Sequence, residues 1–77
     1  MGSKRSHALT RILTHVAVVE EHLRMLRDSP DAIEANHWRG EVRGWLRAME
    51  RELDDLGKRT RVEWEARIAA WWNQLGA

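Results

Sequence analysis

The chain has 77 residues, 43% apolar and 32% charged, with five tryptophans and no cysteine, phenylalanine or tyrosine. That length leaves no room for a second core and the composition argues against global disorder, while the missing cysteines exclude a disulfide framework, a thiol nucleophile and a zinc–thiolate site. Thirteen basic and twelve acidic residues give a formal charge of +1, too balanced for a nucleic-acid binder led by electrostatics alone.

At the N-terminus, Met1-Gly2-Ser3-Lys4-Arg5-Ser6 fits the N-myristoylation pattern, with two basic residues of the kind that help one acyl chain hold a membrane. The same residues also read as a leader ahead of a helix capped by Ser3 or Ser6. From Leu9 the apolar positions Leu9, Ile12, Val16, Val19, Leu23 and Leu26 alternate steps of three and four. That spacing predicts a first helix over about 7–28 with one buried seam. Val18 and Met25 form a smaller strip on its far side.

Ser29-Pro30-Asp31 predicts a break and a new start, with Ser29 as cap and Pro30 at the first helical position. A loop over 31–36 with Asn36 as cap and a start at 37 is the alternative. Trp38, Val42, Trp45, Leu46, Met49, Leu53 and Leu56 make one stripe, so the second helix is predicted over about 30–56, ended by Gly57 in the left-handed conformation. Thr60-x-x-Glu63 is a capping-box pattern. It precedes Trp64, Ile68, Trp71 and Leu75, flanked by Val62, Ala69 and Trp72, and predicts a third helix over about 61–75.

The turn between helices two and three is then about three residues long, which forces an antiparallel hairpin. No strand alternation is present. The expected fold is all-α, a three-helix bundle built on tryptophan and leucine, with oligomerisation as a way to complete so small a core. Because Ile68 to Trp72 is the longest uncharged apolar run, no membrane span is expected. A reducing, cytoplasmic setting is the natural one.

Gly2-Ser3-Lys4, Leu9, Leu13 and His15, followed by Trp38-Arg39 and Val42-Arg43, resemble the bacterial family called domain of unknown function 29. In that family a Gly-basic-Ser turn leads into a helix with a His-Leu-Leu-Lys stretch, and a Trp-Arg helix follows. The resemblance spans nearly the whole chain on degenerate positions. It implies a helical fold, a bacterial source and no established activity, and it brings no catalytic residue. The family lysine falls at Val18 here, and the helical stretch that family members carry upstream is absent, which would leave the surface it covers bare and this chain the second half of a larger pattern. Gly2-Ser3-Lys4 would then be an interior turn.

Several groupings invite a chemical reading. His15 and His22 are seven apart on one helix face, and Glu34-x-x-His37 has the spacing of half a di-iron carboxylate site. Neither grouping has the further ligands a metal requires, so no metal or cofactor is expected. Arg39, Arg43, Arg47 and Arg51 recur every four residues, with Glu50, Asp54 and Asp55 placed to neutralise the second half of the row. Beside it run Gly40, Gly44 and Ala48. Glycine inside a helix costs about 1 kcal/mol relative to alanine, so close approach of helix one or three, or of a second chain, is the expected compensation.

Hydrolase-type triads and phosphate-binding loops are missing, and catalysis is not expected. Trp71 and Trp72 cannot share one face, since adjacent helical residues point roughly 100° apart. With Trp71 on the seam, Trp72 becomes the interface candidate. The expected function is a small protein-interaction module binding another protein or itself through Arg39, Gly40, Arg43, Gly44, Arg47 and Trp72. The alternative is a nucleic-acid binder using Arg39, Arg43, Lys58, Arg59 and Arg61.

Overall fold

A computed structural model describes residues 3–76; the myristoylation reading at Gly2 falls outside them. Helix α1 spans Lys4–Asp28 and begins three residues before the expected start. Ser3 is extended, and its hydroxyl accepts the Ser6 N–H at 3.1 Å, meeting one of the four amides a helix start leaves without partners. Off the seam, the Thr10 and Thr14 hydroxyls donate to the Ser6 and Thr10 carbonyls. At the far end the Ser29 N–H donates to the Met25 carbonyl at 2.8 Å, so Ser29 closes α1 and does not open the next helix.

Residues 29–34 are a turn, joined by an Ala32 N–H to Ser29 carbonyl bond of 3.1 Å and an Ala35 N–H to Ala32 carbonyl bond of 3.0 Å. Helix α2 therefore spans Ala35–Glu52, starting neither at Pro30 nor at 37. The chain must reverse direction to bring α2 back along α1, and these six residues make the reversal. Ala32 packs against the core and Ala35 is buried in it.

The C-terminal end of α2 also differs from expectation. It gives way at Glu52 to a 3-10 turn over Leu53–Asp55. Tightening the winding there moves Leu53 and Leu56 off the straight α-helical stripe; Leu56 is buried and Leu53 packs against the core. Gly57 is extended, with φ −65° and ψ 152°, and precedes helix α3, Lys58–Leu75. Its carbonyl accepts the Arg61 N–H at 2.8 Å. Thr60 thus lies inside the first turn of α3, where it cannot act as the expected cap. The left-handed glycine is Gly76, with φ 82°, whose N–H reaches the Trp72 and Asn73 carbonyls.

α1 and α2 are antiparallel, as the Arg11–Glu52 and His22–Glu41 pairings show at two levels. α3 starts beside the N-terminal end of α1, where the Arg5 guanidinium covers Gly57. It ends with Gln74 and Leu75 close to Leu23, Leu26 and Arg39. α2 and α3 therefore form the expected antiparallel hairpin, and α2 is the central helix, because α1 and α3 touch each other far less than either touches α2. The bundle measures 45 × 21 × 15 Å.

The core combines Ala8, Ile12, Val19, Leu23 and Leu26 of α1 with Ala35, Val42, Leu46 and Met49 of α2 and Trp64, Ile68, Trp71 and Leu75 of α3. All four positions of the α3 seam are buried. On α2 the seam is narrower than expected: Trp38 and Trp45 are half-buried at its flanks. Ile12, Val19, Val42, Leu46 and Met49 are the largest side chains fully enclosed, Trp64 and Trp71 are buried beside them, and Trp38, Trp45 and Trp72 pack against the core from outside. No polar or charged residue is buried among the described residues.

Candidate functional site

Because α2 is packed on two sides, its remaining face is solvent. Asn36, Gly40, Arg43, Gly44, Arg47 and Arg51 are all exposed there. A Cβ placed on Gly40 or Gly44 would meet nothing within 4 Å, so neither α1 nor α3 makes the close approach expected of the glycine row. Among the described residues the two glycines have no packing partner to offset their helix-propensity cost.

The arginines separate into two groups. Arg39 is half-buried; its Nη1 donates to Asn36 Oδ1 at 3.1 Å, and it lines a recess with Leu23, Leu26, Arg27, Gln74 and Leu75. It has therefore left the row. Arg43, Arg47 and Arg51 are exposed and form no ion pair with another described residue. The expected ion pairs with Glu50, Asp54 and Asp55 are not formed. Glu50 accepts the Trp72 indole N–H at 3.0 Å. Asp54 pairs with Arg61 at 3.3 Å, and Asp54 and Asp55 belong to the 3-10 turn beyond the end of α2.

Trp72 is half-buried, and its bond to Glu50 ties α3 to α2. Its partner-binding candidates Gly40, Arg43, Gly44 and Arg47 share the exposed face of α2, whereas Arg39 sits at the end of the bundle. The nucleic-acid candidates are spread more widely. Arg61 is held by Asp54 and by Glu65, while Lys58 and Arg59 are exposed at the opposite end of the bundle from Arg39.

Glu41 connects two histidines that had no expected link. The carbonyl oxygen of Val18 only accepts, so His22 Nδ1–H donates to it at 2.7 Å, which turns Nε2 toward Glu41 Oε1 at 3.7 Å. His37 Nε2 lies 3.1 Å from the same oxygen. The His22 ring meets Trp45 edge-on, with centroids 4.8 Å apart. The four-residue step from His37 to Glu41 was a visible signal, but His22 joins only through the antiparallel packing of α1 on α2. Among the described residues no three His, Asp or Glu side chains are gathered as a metal-ligand set, and His15 and Glu34 make no polar side-chain contact with another described residue.

On α3, Arg67 lies over both buried indoles, 4.4 Å from the Trp64 ring centroid and 5.1 Å from that of Trp71. This cation–π stack covers the core. Among the described residues Leu13, Val62 and Ile33 are the exposed large apolar ones, and Ile33, 97% exposed in the 29–34 turn, is the most open. The sequence offered one signal for Ile33, an isolated branched residue outside every seam. No family model, curated protein or solved structure matches the chain.

Proposed function

We propose that the chain is a small helical protein-interaction module, acting by binding another protein or itself rather than by catalysis, with the exposed face of α2 as its contact surface. The observation that carries this reading is the pairing of two open mid-helix glycines with exposed Arg43, Arg47 and Arg51, which form no ion pair with another described residue. Both features cost stability or leave charge uncompensated in the isolated chain, and a docked partner relieves both. A regulator, an antitoxin-like protein, an assembly subunit and an inhibitor all suit such a module. The missing cysteines support a cytoplasmic setting, and among the described residues no helix is long and apolar enough to cross a membrane. Kinship with the domain of unknown function 29 family, and with it a bacterial source, stays part of this proposal on His15 and Trp38-Arg39.

A photo-crosslinking residue at position 44 tests the reading in the native cell. A discrete adduct from position 44, absent from position 24 on the far side of the bundle, is expected; equal or no crosslinking at the two positions rejects it. Sedimentation separates the two kinds of partner, since a monomer at high micromolar concentration leaves only another protein. The second reading, nucleic-acid binding, is favoured by the unpaired arginines and by exposed Lys58 and Arg59. It requires binding to duplex or single strands that weakens steeply with salt.

A further inference from the structure

We infer that the exposed face of α2 docks an acidic helix of a different protein, whose carboxylates at four-residue spacing meet Arg43, Arg47 and Arg51 while its small side chains lie against Gly40 and Gly44. This rests on the interaction reading above and names the partner's chemistry.

Residues four apart on a helix are about 6 Å apart along its axis, so the three arginines form a row roughly 12 Å long. Carboxylates on a second helix at the same spacing match that row step for step, and a guanidinium takes a carboxylate with two parallel hydrogen bonds. The arginines are available for this because none of them forms an ion pair with another described residue. One three-residue step away, the glycine row presents bare backbone with nothing within 4 Å of an added Cβ. A partner helix can therefore come closer here than at any position carrying a side chain, which shortens and desolvates the neighbouring ion pairs.

A second copy suits this face less well than an acidic helix does. A two-fold contact sets the same surface against itself, bringing Arg43, Arg47 and Arg51 against their own counterparts. Nucleic acid fits less well than an acidic helix. Three arginines fall short of the roughly six to ten phosphate contacts of a typical binder, no tryptophan stands on this face for base stacking, and an open glycine row gives no advantage to a phosphate chain.

The test uses the full chain and three labelled probes at low ionic strength: an alanine-based helical peptide with Glu at every fourth position, the same peptide with Lys in place of Glu, and a duplex DNA. The Glu peptide is expected to bind best. Reversing the row (Arg43→Glu, Arg47→Glu and Arg51→Glu together) is expected to weaken it by about tenfold or more, from the usual size of exposed ion pairs. Gly44→Leu is expected to weaken it as well while leaving the melting temperature unchanged or raised, a combination that misfolding does not produce. The inference is overturned by equal binding of the Glu and Lys peptides, by indifference to the charge reversal, or by tighter binding of the duplex. Its failure is distinguishable from failure of the interaction reading: a position-44 adduct that persists in the charge-reversed chain rejects only the acidic partner, whereas absence of any adduct rejects both.

Discussion

At the scale of single residues, two glycines inside α2 and one at the C-terminal cap of α3 have opposite expected responses to a methyl group. Gly40 and Gly44 have helical backbones and open space where a Cβ would go. Alanine at either position is expected to stabilise the chain by about 0.5–1 kcal/mol through helix propensity. Gly76 has equally open space but a φ of 82°, where an L side chain crowds its own carbonyl, so Gly76→Ala is expected to cost about 1 kcal/mol. Thermal melts of the three variants check this, since 1 kcal/mol moves the midpoint of a domain this size by roughly 4–8 °C. A fall in melting temperature for Gly44→Ala would mean that a neighbour already occupies that space. Glycine's presence was plain in the sequence, but whether anything faced it was not, because the neighbouring surface comes from other helices.

At the scale of the helix, the caps decide the boundaries, and two that looked equivalent in sequence are not. Ser3 and Thr60 both stand at the head of an apolar pattern with a polar residue three positions on. Only Ser3 has the extended backbone that brings its oxygen to the Ser6 amide. Thr60 already lies within α3, behind Gly57. Ser3→Ala is accordingly expected to cost about 1 kcal/mol and to speed hydrogen exchange in the first turn of α1. Thr60→Ala, in contrast, is expected to change stability by no more than a few tenths of a kcal/mol, as surface substitutions away from caps do. Equal losses at the two sites would reject this assignment. Helix periods were legible because they depend on spacing within one segment. The ends at 52 and 58 were not, because α2 passes there into the tighter 3-10 turn over Leu53–Asp55 and Leu56 is buried in a core built by other helices.

For the molecule as a whole, α2 is the element on which the others depend. Leu46, fully buried at its centre, leaves a cavity between helices when truncated. Leu46→Ala is expected to cost about 2–5 kcal/mol, a large part of the roughly 4–12 kcal/mol that the typical stability per residue gives a chain of this length. Ile33→Asp, at the most exposed apolar residue, is expected to leave the melting temperature within about 2 °C of the starting protein, because no apolar contact is lost. Chemical denaturation of both variants checks the contrast. A large loss at Ile33 would show that this turn is covered by a second molecule in the folded state. The central position of α2 also accounts for its exposed face: two neighbours occupy its flanks and leave the third side to solvent.

Fold class, the number of helices, the four buried positions of α3 and the antiparallel hairpin follow from the sequence, since each is a matter of local periodicity and of a connection too short for any other path. Which side chains meet was decided only in three dimensions. Glu50, Asp54 and Asp55 lie near Arg47 and Arg51 along the chain, yet Trp72 and Arg61 of α3 take two of those carboxylates, and the arginine row is left open. Likewise Glu41 gathers His22 and His37 from two helices. An ion pair depends on the separation of two atoms, and between helices that separation is set by the relative rotation and height of the packed elements, which spacing along one chain does not contain.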